Sequence, residues 1–80
     1  MRQVLLRSSS LAWIAYDDSN ERLFVGFQNG TSYRYDGVPS GVVMAILFDS
    51  VSHGRAFDAK IRNGVYPFHK IDPSDYNLHV

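Results

Sequence analysis

The sequence predicts one small α+β domain in which a three-stranded antiparallel meander packs one face against two short helices. Residues 21–28 and 31–36 alternate apolar and polar side chains, which is the period of half-buried strands, and residues 11–16 form a third, apolar segment. From residue 42 onward the apolar spacing becomes helical. The turns between the three strands are short, and short connections require antiparallel neighbours.

The composition is that of a folded domain without sulfur-based chemistry. Of the 80 residues, 45% are hydrophobic and 14% aromatic, which argues against intrinsic disorder. A single domain of this length is stabilised by about 4–12 kcal/mol. The absence of cysteine excludes disulfide frameworks, thiolate zinc sites, iron–sulfur clusters and a cysteine nucleophile.

Neither a membrane span nor a signal peptide is expected. The longest apolar run, residues 42–48, is far too short to cross a bilayer. Residues 8–10 are three serines, where a signal peptide would need its apolar core. We therefore expect a cytoplasmic protein that has no membrane partner.

The glycine of the second turn, Gly30, leaves two registers open for the hairpin that contains it. A two-residue loop would place Tyr33 and Tyr35 on the face opposite Val25. A three-residue loop, 28–30, with Gly30 in the left-handed conformation, pairs Val25 with Tyr33 and gathers the apolar side chains on one face. Because a small sheet needs one coherent apolar face, we predict the three-residue loop.

Two helices and an extended arm are predicted to follow the sheet. Pro39 suits the first turn of a helix whose apolar side chains run from residue 42 to 48. Ser52 is predicted to cap a second helix that ends near Arg62, before an Asn-Gly pair. Residues 68–80 contain a proline and no period, and we expect them to form an extended arm that lies on the domain or frays.

An ordered series of short motifs runs through residues 8–67. It consists of Ser8-Ser9-Ser10, Ile14-Ala15-Tyr16-Asp17, Leu23-Phe24-Val25-Gly26-Phe27, Gly30, Tyr33-Arg34-Tyr35, Val38-Pro39, Ser52-His53-Gly54, Phe57 and Ile61-Arg62. Together these motifs resemble the KTSC domain, a family of small stand-alone bacterial and phage proteins that also occurs at the C-terminus of some lysyl-tRNA synthetases. The resemblance implies a single domain whose core spans about residues 8–67, and the attachment to a synthetase suggests RNA as a ligand.

The first candidate site is the alternation of Tyr33, Arg34 and Tyr35 along one strand. Aromatic rings in this arrangement can stack bases while a guanidinium contacts phosphate. Under the predicted register, however, both tyrosines belong to the core and Arg34 points to the outer face of the sheet, away from the helices.

The outer face is a second candidate binding surface. Strand parity places four suitable side chains there: Trp13, Phe24, Arg22 and Arg34. The alternative is that the C-terminal arm covers this face, using Tyr66, Phe68 or Tyr76.

The start of the second helix is a third candidate site. Free backbone N–H groups beside Ser52, Gly54 and Arg55 could hold a phosphate or a carboxylate. The structural alternative is a capping serine followed by a glycine that fits a tight turn. Residues 53–70 also hold four basic side chains against one acidic one, and Lys60 and Arg62 belong to this group.

Catalysis and metal binding are not expected. Ser52 and His53 are adjacent and lack an orienting carboxylate, and the three histidines lack the spacing of a helical metal pair. The sequence contains no phosphate-binding glycine loop and no dinucleotide fingerprint, so no cofactor is expected either.

The sequence therefore predicts a non-catalytic binding module with RNA or another nucleic acid as its ligand. The residues predicted to contact the ligand are Tyr33, Arg34, Tyr35, Ser52, Gly54, Arg55, Lys60 and Arg62. The alternative is a protein-interaction module, such as a phage-type inhibitor or a homodimer, that uses an apolar outer face or the C-terminal arm. The zero net charge favours this alternative.

Overall fold

A computed structural model describes residues 1–49 and 51–79 as an α+β domain with one antiparallel sheet and two helices. The sheet has five strands in the order β1-β2-β3-β4-β5. In chain order the elements are β1 (Gln3–Leu5), β2 (Leu11–Asp17), β3 (Arg22–Phe27), β4 (Ser32–Asp36), α1 (Ser40–Leu47), α2 (His53–Lys60), β5 (Phe68–Lys70) and a 3₁₀ helix (Pro73–Tyr76). The predicted meander is confirmed as β2-β3-β4, but the prediction of only three strands is wrong.

The second hairpin has the predicted three-residue loop. Gly30 takes a φ of 90°, which is a left-handed conformation that glycine adopts without strain. The Phe27 N–H donates to the Thr31 carbonyl at 2.8 Å, which closes the hairpin around residues 28–30. As a result Val25 pairs with Tyr33, and both side chains lie on the face that packs against the helices.

The two additional strands lie at the edges of the sheet. β1 pairs with β2, and β5 pairs with β4 so that Phe68 lies opposite Tyr35. The predicted extended arm over residues 68–80 is therefore wrong at its start, which is a strand. Each edge strand has only three residues and is mostly exposed, so neither carries the alternation that identifies a strand in sequence.

The helices cover one face of the sheet, as predicted. α2 begins at the predicted cap, because the Arg55 N–H donates to the Ser52 hydroxyl at 3.2 Å. The buried residues of this layer come from β2, β3 and β4, both helices and the segments that adjoin them, and they are Leu6, Leu11, Ile14, Leu23, Val25, Tyr35, Val38, Val43, Ile46, Ala56, Phe57 and Ile61. Among the described residues, no helix is long and apolar enough to cross a membrane.

A β-bulge in β2 divides its side chains between the two faces. The register with β3 shifts between Leu11 and Trp13. Leu11 and Ile14 are three residues apart and would point to opposite faces of a regular strand, but the bulge places both in the helix-side core. Trp13 lies on the outer face, where its indole covers Gly26 of β3.

The outer face is covered by the C-terminal segment, residues 71–79. Trp13 is only 3% exposed and Phe24 only 1%, and Leu78 is buried with them. The Tyr76 ring lies 4.7 Å from the Phe24 ring, centroid to centroid. The prediction of an exposed aromatic surface here is therefore wrong, and the predicted alternative, coverage by an aromatic residue of the arm, is confirmed for Tyr76.

Candidate ligand-binding cleft

A cleft of about 670 Å³ opens on the helix side of the sheet, between the strands β3–β5 and the chain that follows α2. One wall is aromatic and consists of Phe27, Tyr33, Tyr35, Tyr66 and Phe68. A polar end is built by Ser9 and Ser10 and by the β3–β4 hairpin through Gln28, Asn29 and Thr31. Ile61, Arg62 and Gly64 complete the cleft. It combines stacking surfaces, hydrogen-bonding groups and one cation.

The aromatic wall is a row that crosses three neighbouring strands. The Tyr33 ring lies 5.9 Å from the Phe27 ring and 6.0 Å from the Phe68 ring, centroid to centroid, and both contacts are edge-to-face. Such contacts hold the rings in fixed orientations. Tyr33 is half-buried and Phe68 is 59% exposed, so ring surface remains available to a ligand.

Tyr35 forms the floor of the cleft. It is 6% exposed and its ring packs edge-to-face on Phe57, at 5.6 Å between centroids. Burial raises the pKa of the Tyr35 phenol, so the side chain stays protonated throughout the physiological pH range. Its contribution to a bound ligand is apolar surface and, at most, a neutral hydroxyl.

Two cations flank the aromatic row. The Arg62 guanidinium carbon lies 5.4 Å from the centroid of the Phe27 ring, a cation–π distance. Arg62 also lies 3.6 Å from the Asp58 carboxylate, but both side chains are more than half exposed, and such a pair is weak and screened. Lys70 pairs directly with Tyr33 across β4 and β5, so the two side chains share a face of the sheet.

The polar end of the cleft is held by hydrogen bonds from the hairpin. The Gln28 side-chain amide donates to the backbone carbonyls of Ser8, at 3.3 Å, and Leu11, at 3.1 Å. The Asn29 side-chain oxygen accepts from the N–H and the hydroxyl of Thr31, at 3.0 and 2.6 Å. These bonds tie the hairpin to the serine segment before β2 and fix both amides at the rim.

The structure brings three of the predicted site residues together in this cleft: Tyr33, Tyr35 and Arg62. Arg34 lies on the outer face instead and donates two hydrogen bonds to the Asp36 carboxylate, at 2.9 and 3.2 Å, and one to the Tyr76 hydroxyl, at 3.0 Å. The hydrogen bond to Asp36 raises the pKa of the Arg34 guanidinium. Arg34 thus fastens the C-terminal segment to the sheet, and its predicted role as a phosphate contact does not fit this placement.

Ser52 and Gly54 lie at the start of α2 and are not among the residues that line the cleft. A Cβ atom on Gly54 would lie 3.0 Å from the Ser8 hydroxyl and 3.3 Å from the Ser10 hydroxyl. The Ser52 cap agrees with the structural alternative for this motif. Gly54, however, lies within α2 rather than in a tight turn, and its missing side chain lets the serine segment pack closely against the helix start.

Arg55 and Lys60 lie elsewhere on α2. Together with Asp49 and Val51 they line a separate shallow depression. No group of three or more His, Asp or Glu residues within the described ranges 1–49 and 51–79 could hold a metal ion.

Sequence reasoning missed much of the cleft. It did not identify Gln28 and Asn29 as site residues, because a polar hairpin tip is equally typical of an ordinary turn. It also missed Phe68, whose three-residue strand is too short to show a period. The alternation of the strand shows that Phe27 lies on the same face as Val25, but the position of its ring beside Arg62 depends on contacts between distant segments.

Comparison with known proteins supports the fold and defines the family. The KTSC domain family matches residues 7–66, close to the predicted span of 8–67. An uncharacterised protein of Stutzerimonas stutzeri (strain A1501) is 40% identical over 72 residues, which are 90% of this chain and 100% of that protein. The crystal structure of a KTSC domain protein from Yersinia pestis superposes with a TM-score of 0.79 at 33% identity and covers 89% of this chain and 97% of that chain. The chain therefore belongs to the KTSC domain family.

Proposed function

We propose that the protein is a non-catalytic module that binds single-stranded RNA in the aromatic cleft. The observation that carries the proposal is the row of rings on β3, β4 and β5 with a guanidinium at one end. Unpaired bases stack on such rings, while Arg and Lys side chains contact the phosphates that connect them. The occurrence of related domains at the C-terminus of some lysyl-tRNA synthetases is consistent with this ligand class.

The charge distribution makes stacking the main source of affinity. The net charge of the chain is zero, so long-range attraction to a polyanion is weak. Arg62 and Lys70 are the two cations beside the aromatic row, and each neutralises at most one phosphate. For single strands the logarithm of the binding constant falls by roughly 0.7 per phosphate for each tenfold rise in salt, so we expect a shallow slope of about −1.4.

Substitution of Phe68, the exposed ring of the row, and of Arg62 tests the proposal. We expect Phe68→Ala to weaken the binding of a fluorescently labelled RNA hexamer by about 5- to 160-fold, since base stacking contributes roughly 1–3 kcal/mol per base. Arg62→Ala should weaken binding less and reduce the salt slope by about 0.7. Fluorescence anisotropy at several salt concentrations measures both effects.

Matched controls come from the same chain. Phe48 is 75% exposed and lies outside the cleft lining, and Arg55 lies in the separate depression on α2, so Phe48→Ala and Arg55→Ala should leave RNA affinity within about twofold. Equal losses in the cleft variants and in these controls would contradict a site in the cleft. The absence of any RNA binding by the unmodified protein would reject the proposed function.

A second candidate function, self-association, is favoured by an apolar surface at the end of α1. Met44 is 50% exposed, Phe48 is 75% exposed and Val51 is 80% exposed, and Met44 and Phe48 lie one helical turn apart. The outer face that the sequence favoured for such contacts is instead buried.

Sedimentation velocity at two protein concentrations tests this second candidate. A homodimer formed through this surface should give a weight-average sedimentation coefficient that rises with concentration, and Phe48→Ser should abolish the rise. A coefficient that does not change with concentration would exclude self-association through this surface.

A further inference from the structure

The two side-chain amides at the rim of the cleft have their orientations fixed by their neighbours. A backbone carbonyl can only accept a hydrogen bond, so the group of Gln28 that contacts the carbonyls of Ser8 and Leu11 must be its NH₂. A backbone N–H can only donate, so the group of Asn29 that contacts the Thr31 N–H must be its oxygen. Neither amide can be turned over without breaking these bonds.

Each amide therefore keeps its opposite group outside these bonds, on a residue that lines the cleft. Both hydrogens of the Gln28 NH₂ are used, which leaves its carbonyl oxygen as an acceptor. The Asn29 oxygen already accepts two bonds, which leaves its NH₂ as a donor. Among the described residues no side chain or backbone group makes a hydrogen bond to either of these two remaining groups.

We propose that Gln28 and Asn29 recognise the hydrogen-bonding edge of a nucleobase held in the cleft, with Gln28 as acceptor and Asn29 as donor. The pairing edges of A and C carry an exocyclic amine donor beside a ring-nitrogen acceptor, whereas those of G and U carry an exocyclic oxygen acceptor beside a ring N–H donor. A fixed order of one acceptor and one donor in the cleft matches one of these two orders better than the other. A phosphate offers acceptors only and would be repelled by the Gln28 oxygen. The inference rests on the proposed RNA-binding function and adds to it that the site distinguishes one base from another.

Base preference is measured with labelled RNA hexamers of A, of C and of U, and with an abasic hexamer. Fluorescence anisotropy should give affinities for the best and the worst base that differ by about fivefold or more, since a correct pair of hydrogen bonds discriminates by roughly 1–3 kcal/mol. The abasic hexamer should bind more weakly than all three.

Asn29→Asp is the decisive variant, because it changes one group and leaves the shape alone. The carboxylate still accepts from Thr31, so the turn is kept, but the donor at the cleft becomes an acceptor. The affinity for the preferred base should fall by about tenfold relative to the other bases. Ser9→Asp adds the same charge to the same cleft without altering an amide, so it should lower all affinities by a similar factor and leave the preference unchanged.

The outcomes separate the two proposals. Equal affinities for A, C and U, or a preference that Asn29→Asp and Ser9→Asp alter to the same extent, would overturn the inference and leave the proposed function standing. Failure of the unmodified protein to bind any of the hexamers would overturn both.

Discussion

Replacing Gly26 with alanine is expected to destabilise the domain by about 3 kcal/mol or more, out of a total stability of about 4–12 kcal/mol. A Cβ atom at this position would lie 2.0 Å from the Trp13 indole nitrogen and 2.2 Å from the adjacent ring carbon, far inside van der Waals contact. The indole is 3% exposed and packs under residues 71–79, so it cannot move aside without leaving the outer-face core. Urea denaturation followed by circular dichroism measures the loss.

Gly41→Ala is the matched control for this prediction. Gly41 lies in α1, and the space where its Cβ atom would stand has no neighbour within 4 Å. The same substitution there should leave stability unchanged or raise it by up to about 1 kcal/mol, because alanine favours helix.

A double-mutant cycle keeps the prediction testable even if Gly26→Ala does not fold. In a Trp13→Leu background, where the indole is absent, Gly26→Ala should cost at least about 2 kcal/mol less than it does in the unmodified protein. Equal costs in the two backgrounds would contradict a direct clash between the Cβ atom and the indole.

Removing residues 71–80 is the second change with a large expected effect. Pro73 and Leu78 of this segment are buried, and the Tyr76 ring packs on Phe24. These residues seal the outer face. Uncovering Trp13 and Phe24 exposes two of the largest buried side chains, and we expect a loss of at least about 3 kcal/mol. Trp13 is the single tryptophan of the chain, so a red shift of its fluorescence emission reports its exposure to water.

Two point variants separate the contribution of apolar packing from that of the hydrogen bond between Arg34 and Tyr76. Leu78→Ala should cost about 2–4 kcal/mol, because Leu78 is 4% exposed and its loss leaves a cavity. Tyr76→Phe keeps the ring on Phe24 and removes only the hydroxyl that Arg34 binds, so it should cost about 1 kcal/mol. An unshifted Trp13 emission and an unchanged urea midpoint after truncation would show that residues 71–79 do not seal the outer face in solution.

The central meander and the register of its β3–β4 hairpin could be predicted because local chemistry specifies them. Of the two- and three-residue loops, only the three-residue loop places Val25 and Tyr33 on the same face, and Gly30 supplies the left-handed residue which that loop requires. The start of α2 is also specified locally, because the Ser52 hydroxyl accepts a hydrogen bond from the N–H of Arg55, three residues later. These features involve residues close together in the chain, so the pattern of the sequence is sufficient to identify them.

The edge strands could not be predicted from their own residues. β1 and β5 have three residues each and expose most of their side chains, so no hydrophobic alternation marks them. They are strands because β2 and β4 offer them unpaired backbone groups. Part of the candidate site could not be predicted for the same reason, because Phe68 of β5 is the ring that continues the aromatic row beyond Tyr33.

The sequence by itself determined the α+β class, the β3–β4 register, both helices and the side of the sheet on which the two tyrosines lie. These follow from residue periodicity and turn chemistry, which act over a few residues. Only the tertiary structure decided that residues 71–79 seal the outer face, that Arg34 fastens them, and that the hairpin tip, Arg62 and Phe68 share one cleft. Those contacts join segments that are far apart in the chain, and burial of apolar surface selects them only when all the segments are folded together.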